Sequence, residues 1–100
     1  MTWLEAFALT VAIELPIVVL LVGRGRRRRA PLDALAANLL THPLAWWAVM
    51  SGAAPWLFTE LCVVAVEACV YRAATRLGWA SAAMTALAAN LVTAAIGLLL

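Results

Sequence analysis

The chain has no lysine and no glutamine, and only 12% of its 100 residues are charged. A soluble domain of this length exposes much of its surface, and so few charged side chains cannot cover it. Its two cysteines, Cys62 and Cys69, lie in one apolar run. On a helix that spacing separates them by ~10 Å, too far for a disulfide with each other. Both are expected as small buried hydrophobes, and a disulfide scaffold is excluded. Five glycines and four prolines leave no room for a collagen-like chain. No phosphate-binding glycine loop, cysteine/histidine metal spacing or nucleophile elbow is present.

What fills the chain instead is apolar. Hydrophobic residues make up 67% of it, against roughly 45–50% in a typical globular domain. They fall into four blocks of about 20, the length that crosses a ~30 Å hydrocarbon core. The blocks are continuously Ala/Leu-rich rather than alternating, which argues for helices and against a transmembrane barrel. The expected fold is an all-α membrane protein in one domain, residues 1–100. Its four transmembrane helices are read as Trp3–Val22, Leu32–Met50, Trp56–Thr75 and Trp79–Leu99. Pro31 and Pro55 start helices, and short connections make successive helices antiparallel neighbours.

Charge placement orients the bundle. Arg24, Arg26, Arg27, Arg28 and Arg29 occupy the first connection, Arg72 and Arg76 flank the third, and the second has none. The positive-inside rule puts the basic connections in the cytoplasm and both termini outside, with the arginines at lipid headgroups. Asp33 suits the positive end of the second helix. A cleaved signal peptide is not expected, because the charge follows the first apolar block. The arginine run is explained by topology without nucleic acid.

A duplication is visible. Ala34-Leu35-Ala36-Ala37-Asn38-Leu39-Leu40-Thr41 returns as Ala86-Leu87-Ala88-Ala89-Asn90-Leu91-Val92-Thr93, identical at seven of eight positions. Upstream, Val11-Ala12-Ile13-Glu14 is echoed by Val64-Ala65-Val66-Glu67. The chain therefore reads as a tandem helical hairpin, repeat 1 over about 3–50 and repeat 2 over about 56–100. Both hairpins run in one direction, a parallel repeat about an axis along the membrane normal.

At ~1.5 Å per residue, Glu14, His42, Glu67 and Asn90 fall ~12–17 Å from the cytoplasmic ends, near the midplane, with Asn38 one turn below His42. An ionised side chain at a helix centre costs ~2.5–3.5 kcal/mol on insertion scales. Glu14 and Glu67 must therefore be protonated, paired with a cation, or hydrated. Such a pair can share a proton or exchange it for an ion. The candidate site is Glu14, Glu67, Asn38, Asn90 and His42, with Glu14, Glu67 and His42 as ligands if the ion is a divalent cation. Pro16 and Pro43 are expected to kink the helices there and to free the carbonyls of Ala12 and Leu39. Ala83, Ala86, Asn90, Thr93 and Gly97 form a small-residue stripe for close helix approach. Glu5 and Glu60 are placed in an acidic outer vestibule.

Glu67-Ala68-Cys69-Val70-Tyr71-Arg72 resembles the first motif of CAAX-type intramembrane proteases, but Ala68 stands where that family has a second Glu and His42 is the single His. Glu14-Leu15-Pro16 and Asn38-Leu39-Leu40-Thr41-His42-Pro43 resemble small four-helix bacterial integral membrane proteins, a resemblance that spans the chain, implies the bacterial cytoplasmic membrane and carries no activity. The leading expectation is a cation- or proton-handling transporter, channel-like module or ion-coupled subunit, assembled as a homo-oligomer or within a larger complex. A structural subunit with its polar residues as interhelical glue is the alternative. A metal-dependent intramembrane hydrolase is the lesser one.

Overall fold

The computed structural model describes residues 2–23, 25 and 28–99 of the chain. Arg24, Arg26 and Arg27, expected at the headgroups, lie outside the described residues. Four helices account for nearly all of the remainder: α1 (Trp3–Leu21), α2 (Ala30–Met50), α3 (Trp56–Thr75) and α4 (Trp79–Leu99). No strand occurs among the described residues. The fold is all-α.

Local chemistry sets each boundary. Thr2 opens α1 with a capping box: its hydroxyl accepts from the Glu5 N–H at 3.2 Å, and the Glu5 carboxylate accepts from the Thr2 N–H at 2.8 Å. Pro31 sits in the first turn of α2, where the missing N–H costs nothing. Gly52 turns the chain after α2 with φ of 76°, and Pro55, extended at ψ 150°, launches α3. Arg76 closes α3 in the left-handed region, at φ 58°. α2 begins two residues earlier than the apolar pattern indicates, because Ala30 and Pro31 already hold helical geometry.

The helices form a ring in which α1 packs on α2 and α4, and α3 packs on the same two. The bundle measures 39 × 22 × 20 Å. Its interior is made of small residues: Ala30, Ala34 and Ala37 of α2 and Ala82, Ala86 and Ala89 of α4 are fully buried, with Val18 and Tyr71. Large apolar residues face outward on every helix, among them Leu20, Leu44, Leu61 and Leu91. This inverts the arrangement of a water-soluble bundle, which puts its Leu inside. α1 and α4 are long and apolar enough to cross a membrane. In α2 and α3 the residues that dilute the apolar run, Asp33, Asn38, Thr41, Thr59 and Glu67, turn into the bundle.

Three sequence expectations are corrected here. Cys62 and Cys69 are free and exposed on the outer face of α3, since the inward face at that level belongs to Glu67 and Ala68. The buried stripe of α4 enters through Ala82, with Ala83 exposed, so the contact face is turned by one residue. Pro16 and Pro43 interrupt neither helix, and both are exposed. The hydrogen bonds they remove lie on the outer face of the bundle and not at the polar centre.

Candidate functional site

Two glutamates are buried at mid-bundle, Glu67 at 0% and Glu14 at 1% exposure, with Asn38 at 2% and Asn90 at 8% beside them. They form a polar ring that engages all four helices. Glu67 of α3 accepts from the Asn90 amide of α4 on Oε1 and meets the Thr41 hydroxyl of α2 at 3.1 Å on Oε2. Glu14 of α1 meets the Thr93 hydroxyl of α4 at 2.9 Å on Oε2, and the Asn38 amide of α2 approaches the same carboxyl. Each Glu therefore faces the Asn of its own hairpin and the Thr of the other. The sequence reasoning marked the four Glu and Asn residues and missed both threonines. The repeated Asn-x-x-Thr spacing was the signal, since it puts amide and hydroxyl one turn apart on one face.

The threonines have a particular geometry. Thr41 Oγ1 lies 3.0 Å from the carbonyl of Ala37, and Thr93 Oγ1 lies 3.0 Å from that of Ala89. A hydroxyl has one proton and two lone pairs. Beside a protonated Glu it accepts the carboxyl proton and donates to its own helix. Beside a carboxylate it turns and donates to the carboxylate. Each Thr thus satisfies its Glu in either state without any heavy atom moving.

The two glutamates differ in what else they meet. Both Glu67 oxygens have partners, whereas Oε1 of Glu14 is buried without one. Glu14 lines a cavity of about 400 Å³, and Glu67 is not among its lining residues. The cavity is built from the N-terminal halves of α1 and α3 and the C-terminal halves of α2 and α4, so it lies toward the end away from the arginines. Asn38, Thr41, Asn90 and Thr93 line it with Glu14, and His42, Trp46, Trp56 and Glu60 line its wall. On the arginine side of the ring, the buried alanines and Tyr71 close the bundle. One half is open and the other is packed.

His42 lines the cavity within an aromatic cluster. Its ring is edge-on to Trp3 and Phe7, with centroids 5.9 and 5.5 Å away, and stacks on Trp46 at 6.4 Å. Among the described residues, no three His, Cys, Asp or Glu side chains form a group that could hold a metal ion. Glu14, Glu67 and His42 therefore do not form such a group, and the His42 ring packs among its aromatic neighbours. Glu60 lines the cavity, while Glu5 is exposed and committed to the α1 cap. Arg72 spans the α3–α4 turn, donating to the carbonyl of Leu77 at 2.8 Å with its guanidinium 5.2 Å from the centre of the Trp79 ring. Arg28 and Arg29 are exposed, and Arg29 lies 3.8 Å from Asp33. Arg76 is exposed at the α3 cap.

No known protein family, curated protein or solved structure matches this chain.

Proposed function

We propose that the chain is a small integral membrane protein that handles a proton or a monovalent cation at Glu14, reached through the cavity from the side opposite the arginines. All four helices lie in the membrane in this reading, with the arginine connections cytoplasmic and the termini outside. Support comes from the outward-facing leucines, which suit lipid, and from the burial of both Glu14 and Glu67 at mid-bundle. The tandem duplication is supported by the matched partners of the two glutamates, amide from one hairpin and hydroxyl from the other.

One observation carries the assignment. Glu14 is a buried carboxyl that lines the cavity and has one oxygen unpartnered, while its other oxygen meets a hydroxyl that serves both protonation states. A buried unpaired acceptor costs ~1–3 kcal/mol; Asp33 and Tyr71 also have one, but of the three only Glu14 lines the cavity. Glu67 fits the glue reading well. With both oxygens bonded, it joins α2, α3 and α4 and fixes the floor on which Glu14 works.

The test is the melting temperature of the detergent-purified protein between about pH 5 and pH 9, with and without alkali-metal salts. The wild type is expected to respond to pH or to one of the cations. Glu14→Gln is expected to remain folded and lose that response, whereas Glu67→Gln mainly lowers stability. Identical responses in wild type and Glu14→Gln would overturn the proposal.

A further inference from the structure

The cavity is larger and less polar than a bare inorganic ion requires. At about 400 Å³ it is within the range of small-molecule sites, ~300–1,000 Å³. Leu9, Ala45, Val63 and Ala94 make up much of its wall. The floor holds the Glu14 carboxyl, 1% exposed and with its Oε1 without a hydrogen-bond partner, beside Asn38, Thr41, Asn90 and Thr93.

Three other features bear on what the cavity can hold. Among the described residues no arginine lines the cavity, and a second carboxylate, Glu60, stands in the wall nearer the mouth. The local charge is therefore acidic throughout. Trp46, Trp56 and His42 add aromatic surface on α2 and α3, and the His42 ring is held by stacking on Trp46 with only 17° between their planes. A carboxylate at the bottom of an aromatic, apolar cavity matches a charge that is weakly hydrated and carried on carbon. Quaternary and protonated amines have that character, and aromatic faces hold them by ~0.5–2 kcal/mol per contact.

We propose that the cavity binds an organic ammonium ion, its charge beside the Glu14 carboxyl and its apolar body against Trp46, Trp56 and His42. This inference rests on the reading of Glu14 as the ion-binding group and names the class of ion. The ammonium displaces the proton held at Glu14 or pairs with the free carboxylate. Glu60, higher in the wall, draws the cation in.

The experiment is calorimetric titration of the detergent-solubilised full chain with benzyltrimethylammonium, its uncharged analogue benzyldimethylcarbinol, and sodium chloride at matched ionic strength. The expected result is saturable binding of benzyltrimethylammonium alone. Glu14→Gln should weaken it at least ~10-fold, as loss of a charge-assisted contact does. Trp46→Ala, which leaves the polar ring untouched, should weaken it ~3- to 30-fold. Leu87→Ala, on the outer face of α4, should leave it unchanged. Equal binding of the uncharged analogue would overturn the inference, since the cavity would then be reading shape and not charge. A sodium or pH response that depends on Glu14, with no benzyltrimethylammonium binding, would overturn the ammonium assignment and leave the proton or inorganic-cation reading standing. Absence of all three responses would remove both.

Discussion

The unit of chemistry in this bundle is a glutamate with a threonine that can turn its proton either way. Thr93 serves Glu14, and Thr41 serves Glu67. Replacing Thr93 with Val keeps the shape and removes the hydroxyl. It is expected to abolish the pH or cation response of Glu14 at a cost of ~1 kcal/mol in stability, while Thr93→Ser retains the response. Comparing the melting curves of the two variants, with and without ligand, checks this. Tyr71 supplies a control of the opposite kind. Its hydroxyl is fully buried and has no hydrogen-bond partner among the described residues. Tyr71→Phe should therefore leave the melting temperature unchanged or raise it, and a clear drop would show that the hydroxyl has a partner after all. Depth along the helices was enough to find Glu14, Glu67, Asn38 and Asn90 in the sequence. It could not separate the two glutamates, because both fall at the same level. What separates them is the second set of neighbours, a cavity for one and a closed hydrogen-bond set for the other.

At the scale of elements, small residues decide how closely the helices approach, and their facing is a sharper matter than their spacing. The i, i+3/i+4 pattern of α4 is legible in the sequence, but Ala82 and Ala83 serve it equally well on paper. Packing against α3 and α1 selects Ala82, which is fully buried, and leaves Ala83 exposed. Ala82→Leu should overpack the interior and cost ~1–3 kcal/mol, whereas Ala83→Leu should fall within ~0.5 kcal/mol of wild type. Thermal unfolding of the two variants reads the difference. The prolines teach the same lesson. Pro16 and Pro43 are near the polar residues in sequence, yet one residue of rotation on a helix is about 100°. Pro16 stands two residues from Glu14 and so on nearly the opposite face. The aromatic partners of His42 were not legible either, since they come partly from α1, at the far end of its hairpin.

For the whole molecule, composition alone made the four helices legible, with seven of the eight boundaries within about a residue. The half-open, half-packed interior was not legible, because it depends on which alanines meet. The proposed orientation predicts which side the open half faces. In a background with Cys62 and Cys69 replaced by Ala, Ser51→Cys in the α2–α3 loop should react with a membrane-impermeant maleimide in intact cells. Gly78→Cys in the α3–α4 turn should react only after permeabilisation, and the reverse pattern would invert the topology.

The central claim is that Glu14, and not Glu67, exchanges its proton. Infrared difference spectroscopy of the protein in lipid, between its acid and alkaline forms, tests this most directly. The carboxyl stretch of a protonated glutamate should appear in the difference spectrum of the wild type and of Glu67→Gln, and vanish in Glu14→Gln. A carboxyl signal that survives in Glu14→Gln and is lost in Glu67→Gln would contradict the account.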